Sequence, residues 1–130
     1  MYTSITNNIR VTVQPVYLEE QSTADDGYYV WAYTIDVENS TEQTVQLLNR
    51  YWHITDGDGQ VEEVKGEGVV GEQPILKPGE AFQYTSGASL RTSSGIMQSQ
   101  YEMVDEDNEH FNIQIPAFSL DSTEQLKRPN

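Results

Sequence analysis

The sequence predicts an all-β chain folded as an antiparallel β-sandwich of seven to eight strands. Three observations lead there. Apolar residues alternate with period two along most of the 130 residues, the spacing of a half-buried strand. Turn-forming residues recur at short intervals between those stretches. No segment carries the 3.6-residue apolar stripe of an amphipathic helix.

The first strand is marked by Ile9, Val11 and Val13, and Pro15 interrupts it in the manner of an edge or a bulge. Tyr29, Trp31, Tyr33, Ile35 and Val37 fill one face of the next, which ends in the turn Asn39-Ser40-Thr41. A strand over Thr44 to Thr55 puts Leu48, Trp52 and Ile54 in one phase. Arg50 shares that phase, so it must lie near an edge or be paired. Asp56-Gly57-Asp58-Gly59 forms a tight hairpin turn, because such residues tolerate left-handed backbone angles. The return strand covers Gln60 to about Gly66, and Pro74 to Gly79 is a turn-rich connection. Ala81 to Ser86 points Phe82 and Tyr84 inward. Ile96 to Val104 alternates through Met97, Ser99, Tyr101 and Met103; Asp105 to Glu109 turns the chain. Phe111, Ile113 and Ile115 close the sheet. A tryptophan on a central strand, Trp31 or Trp52, suits an immunoglobulin-like sandwich, and the lack of cysteine restricts it to the disulfide-free, fibronectin III-like type. A β-barrel is the competing architecture. One domain spans 1–130, with an ordered core of about 3–120 and a polar tail, 121–130, expected to fray.

Composition excludes several functions. No disulfide or thiolate zinc site can form without cysteine. No apolar stretch approaches the length needed to span a bilayer, and the first ten residues lack the pattern of a signal peptide, so a soluble cytoplasmic protein is expected. A formal net charge of −14 repels nucleic acid and anionic membranes, so neither is expected as a partner. The acids are unevenly spread: between Ala81 and Gln100 the only charged residue is Arg91.

Gly66-Glu67-Gly68-Val69-Val70-Gly71 matches the letters of a dinucleotide-binding fingerprint. That fingerprint needs a helix directly after the glycines, to meet the pyrophosphate with its N-terminus. Pro74 and Pro78 prevent one, and no acid for the ribose occurs between Ala81 and Gln100. The glycines are therefore expected to shape a loop between two strands, and no cofactor is expected. Asp56 to Gly59 lacks the ligand pattern of a calcium loop, and Asp105 to His110 reads as a solvated hairpin, so no metal site is assigned. His53 and His110 are not spaced to pair with a serine nucleophile, and no catalytic residue is assigned.

Two segments carry binding potential. Val69, Val70, Pro74, Ile75 and Leu76 form an apolar, proline-bracketed loop that would be a contact patch if exposed, or a cover for the end of the core. Thr85, Ser86, Ser89, Arg91 and their neighbours offer hydroxyls and a guanidinium, which with the amides of Gly66 to Gly71 could cradle an anion.

Several blocks in order resemble the ApaG family: Arg50-x-Trp52-x-Ile54-x-Asp56, Gly66 to Pro74, Leu76 to Ser86, Gly95-Ile96-Met97 and Ile115 to Leu120. The resemblance covers nearly the whole chain, with Ser99 standing where the family usually has glycine. It implies a fibronectin III-like sandwich without established catalytic activity. Related domains in F-box proteins and a polymerase-interacting protein resemble protein-interaction modules, and bacterial members are linked genetically with cobalt and magnesium tolerance. The expectation is a non-catalytic interaction module whose surface comprises Gly66, Gly68, Val69, Val70, Gly71, Ile75, Thr85, Ser86 and Arg91. The alternative is a small-ligand protein binding phosphate, pyrophosphate or a divalent metal there. A protein partner is expected, and edge strands would allow a homodimer without requiring one.

Overall fold

The structure, a computed structural model, describes residues 1–122. Among them are nine strands: β1 (Tyr2–Thr6), β2 (Ile9–Tyr17), β3 (Tyr29–Asn39), β4 (Val45–Asp56), β5 (Val61–Glu67), β6 (Ile75–Leu76), β7 (Ala81–Leu90), β8 (Ser94–Val104) and β9 (His110–Asp121). They form two antiparallel sheets, ordered β1-β2-β3-β7 and β5-β4-β8-β9, with β6 paired to β4. Among the described residues the ladder does not continue from one sheet to the other, so the architecture is a sandwich and not a barrel.

The alternating residues face inward as expected. Trp31, Ile35 and Val37 of β3, and Met97, Tyr101 and Met103 of β8, are essentially inaccessible to solvent. Tyr33, Trp52 and Phe118 form an aromatic cluster between the sheets, with Trp52 edge-on to Phe118 at 6.0 Å. Ser99, also buried, donates from Oγ to the Tyr51 carbonyl at 2.6 Å, tying β8 to β4.

Two strands exceed the expected set. β1 reaches β2 through Asn7 and Asn8, both with positive φ (50° and 61°), the backbone of a tight hairpin turn. β6 interrupts the stretch read as a turn-rich connection. Two single-turn 3-10 helices, Glu19–Gln21 and Ala24–Asp26, lie between β2 and β3. Pro15 sits beyond the last β1 pairing, Tyr2 with Val13, where β2 has a neighbour only on the β3 side. There its missing N–H costs nothing.

The inward phase of β4 is the expected one at Arg50, Trp52 and Ile54 but not before them. Val45 and Leu47 are buried, then a β-bulge between Leu47 and Asn49 shifts the register, and Trp52 resumes in the other phase. Leu48 is the extra residue. The hairpin turns Asp56–Gln60 and Asp105–Glu109 share one design. In each, the aspartate Oδ1 accepts two backbone N–H bonds from the turn, and a residue in the left-handed region (Gly59, Asn108) closes it.

β7 runs four residues past Ser86, and β9 extends to Asp121. Of the tail expected to fray, Asp121 and Ser122 are held in place. Trp31 Nε1 donates to the Asp121 carbonyl at 3.0 Å, and the buried Ser122 donates its N–H to the Ser93 carbonyl. The rest of that tail, 123–130, lies outside the described residues.

Candidate functional site

The two sheets pack together along the β1 and β9 side and separate along the other, where β7 and β5 are both edge strands. A cleft of about 420 Å³ opens between those edges. Its cause is local. On β7 the inward positions are Phe82, Tyr84, Ser86, Ala88 and Leu90, so two small side chains lie between two large ones. Opposite, the Arg50 guanidinium fills the space over Gly66. Tyr33 and Trp52 form the floor, Arg50 and Val70 stand at one end, and Ile54 and Glu62 at the other.

Arg50 follows from the shifted phase of β4. It pairs with Gly66 on β5 and Tyr101 on β8, so its side chain crosses the inner face. Nη1 donates to the carbonyls of Glu67 (2.9 Å) and Gly68 (3.0 Å). The guanidinium lies over Gly66, where an added Cβ would come within 2.7 Å of it. Arg50 makes no ion pair among the described residues, although acids outnumber bases 21 to 7 in the chain.

Three phenols adjoin it. Tyr84 and Tyr101 share a short hydroxyl–hydroxyl hydrogen bond in the buried interior. Burial pushes both phenols well above the ordinary tyrosine value. It raises Tyr33 too, against the opposing effects of the Ser86 hydroxyl and the Arg50 charge. All three therefore stay neutral, and among the described residues the guanidinium is the only cationic group lining the cleft.

The glycine block is a loop, as expected. Gly68 donates its N–H to the carbonyl of the bulged Leu48, which Gln73 Nε2 also reaches. Val69 and Glu72 exchange both backbone bonds around a two-residue turn, Val70-Gly71, with φ of 44° and 80°. Both angles are positive, the geometry that normally selects Asn-Gly. Val70 is thus a β-branched residue in the left-handed region, a strained conformation. It is also 53% exposed.

The other predicted site residues divide. Val69, Val70, Gly71 and Ser86 line the cleft together. Val69 is buried, so it covers the core and offers no outer surface. Thr85 faces outward and bonds Thr34 across the ladder. Arg91 lies past the end of β7 in a neighbouring depression with Tyr28 and Asp56. Ile75 is exposed beside Phe82 and Pro74, away from the cleft. Sequence reasoning missed Arg50, Tyr33 and Trp52 as site residues. The available signal was a cation in an apolar phase.

Neither histidine lines the cleft. His53 Nδ1 faces Gln98, and His110 Nδ1 meets Glu102 at 2.8 Å. Hydrogen bonds from Asn49 and then His110 hold the Glu102 carboxyl below its usual range. Among the described residues, no three His, Asp or Glu side chains converge as metal ligands. Among the described residues, no helix is long and apolar enough to cross a membrane.

Comparison with known proteins places this arrangement in a family. The family model of the ApaG domain matches residues 19–105. The chain is 58% identical over 122 residues to Protein ApaG of Methylocella silvestris, covering 94% of each. It is 53% identical to Protein ApaG of Brucella canis over the full length of both. Among solved structures, the ApaA protein of Bordetella pertussis superposes with a TM-score of 0.86 at 44% identity, over 88% of this chain and 93% of that one. A protein from Archaeoglobus fulgidus shares the fold alone, with a TM-score of 0.52 at 9% identity. On the strength of these matches, the chain belongs to the ApaG family.

Proposed function

We propose that this protein is a non-catalytic protein-interaction module that receives its partner at the open edge of the sandwich. The observation that carries this reading is the cleft between β5 and β7. Among the described residues, two strands there present unpaired edges, the chemistry by which sheets accept another chain. β7 is the more receptive edge. From Ala81 to Leu90 it bears no charge, whereas β5 carries Glu62, Glu63, Lys65 and Glu67. Val70 supports the same surface. An exposed valine held at φ 44° is strained where asparagine or glycine would be relaxed, and such strain clusters at binding sites. Against catalysis, the cleft contains neither histidine, and its phenols are held neutral by burial.

Ser86→Trp, which fills the cleft, tests the proposal. Affinity capture from the native cell should lose a partner with this variant and keep it with Gln83→Trp, on the opposite face of the same strand. Equal recovery by both variants counts against the cleft.

A further inference from the structure

The ends of the cleft differ in charge, and the difference defines what fits. Arg50 stands at the glycine-loop end with a guanidinium that forms no ion pair among the described residues. Its Nη1 is engaged by two carbonyls, while among the described residues no such bond is made by Nε or Nη2. At the other end, the exposed Glu62 pairs with Ile54 across the ladder. Arg50 and Ile54 are four residues apart on β4, about 13 Å at the rise of a strand. Between them lie aromatic and small neutral side chains, and the uncharged edge of β7 runs alongside.

We propose that the cleft binds the free C-terminus of an extended peptide, adding it as an antiparallel strand to β7. The carboxylate meets Arg50, and a basic side chain about three residues earlier meets Glu62. This deepens the interaction-module reading and rests on it. The direction follows from the topology. β7 passes from Tyr84, beside Tyr101 and Arg50, toward Leu90, beside Ile54 and Glu62. A chain ending at Arg50 therefore runs opposite to β7, continuing the antiparallel order of that sheet. Main-chain bonds to the edge would supply affinity, and the two end charges would fix register and direction. The cleft has length for a few residues only, which suits a chain terminus better than an internal segment.

Replacing Arg50 releases the carbonyls of Glu67 and Gly68, so the test varies the peptide and the opposite end. The probe is acetyl-Lys-Val-Thr-Val with a free carboxylate, titrated into the ¹⁵N-labelled full chain. Amide shifts are expected to concentrate at Ser86 to Ser89 and Gly66 to Gly71. The C-terminal amide of the same peptide should bind at least about tenfold more weakly, roughly 1.4 kcal/mol. Glu62→Lys should invert the preference between Lys and Glu at the first peptide position. Equal binding of acid and amide, with shifts still in the cleft, overturns the carboxylate assignment and leaves the interaction surface standing. Shifts confined to other surfaces, or none with millimolar probe, overturn both.

Discussion

Alanine at each of the three glycines in the 66–71 block should cost different amounts, because each glycine is required for a different reason. At Gly68 (φ +60°) a Cβ would lie 2.1 Å from the Glu72 carbonyl oxygen, a backbone atom locked in the Val69–Glu72 pair. Left-handed strain adds about 1–2 kcal/mol to that overlap, so Gly68→Ala should cost about 4 kcal/mol in all. At Gly66 the obstacle is the Arg50 guanidinium at 2.7–2.8 Å, the far end of a flexible side chain. It can swing away only by releasing the Glu67 and Gly68 carbonyls. Two partly exposed charge-assisted bonds make that worth about 2 kcal/mol. At Gly71 (φ +80°) nothing lies within 4 Å, leaving the strain alone, about 1 kcal/mol. Urea unfolding separates the three, since about 2 kcal/mol moves the midpoint by about 1 M at a slope of about 2 kcal/mol/M. In an Arg50→Met background the cost of Gly66→Ala should fall to near that of a plain strand substitution. An order other than Gly68, Gly66, Gly71 refutes the steric assignment. An unchanged Gly66→Ala cost in that background refutes the role given to Arg50.

Tyr84→Phe should destabilise by about 1–3 kcal/mol by leaving the Tyr101 hydroxyl buried and unpaired, and adding Tyr101→Phe should recover part of it in a double-mutant cycle. The same phenols set an alkaline limit. Their folded-state pKa values are raised, so the stability they contribute is fully present below the unfolded tyrosine value of about 10 and falls as pH rises beyond it. Denaturation at about pH 9 and about pH 11 should show that loss, and the double phenylalanine variant should lose less. Val70→Asn should stabilise the chain by up to about 1 kcal/mol by relieving left-handed strain, while weakening capture of any partner that uses the loop tip. Asn49→Ala should raise the Glu102 pKa toward the ordinary glutamate range, read by carboxyl NMR titration. An unmoved value removes Asn49 as its main cause.

The strands were legible because period two survives in the residues that build the core: Trp31 to Val37, Met97 to Met103 and Ile113 to Ile115 all point inward as the alternation requires. A bulge leaves no such mark. One extra residue at Leu48 changed which half of β4 faces inward, and only the pairing on β8 reveals it. β1 was missed although Asn7-Asn8 favours a left-handed turn, since its inward residues are only half-buried. The cleft was illegible for a simpler reason: it is made by what Ser86 and Ala88 lack. Arg91 attracted attention as the one charge in a neutral segment, but the end of β7 at Leu90 leaves it outside the inner face.

Two sequence blocks that look like separate signatures are one physical object. Arg50 of the Arg-x-Trp-x-Ile stretch holds the carbonyls of Glu67 and Gly68 and lies over Gly66. Leu48, two residues earlier, accepts the N–H of Gly68 and the amide of Gln73. Val69 is buried from the same loop. Each block thus supplies what the other needs: a bulge offers a carbonyl that its ladder does not use, and glycines let the loop approach near enough to take it. The dinucleotide pattern in Gly66-x-Gly68-x-x-Gly71 is then a by-product of this clasp. A phosphate cradle requires loop amides turned toward solvent, and here those of Gly68 and Val69 are turned toward the chain. The charge that remains for a ligand belongs to the arginine holding the clasp, so occupancy of the cleft and order in the glycine loop should rise and fall together.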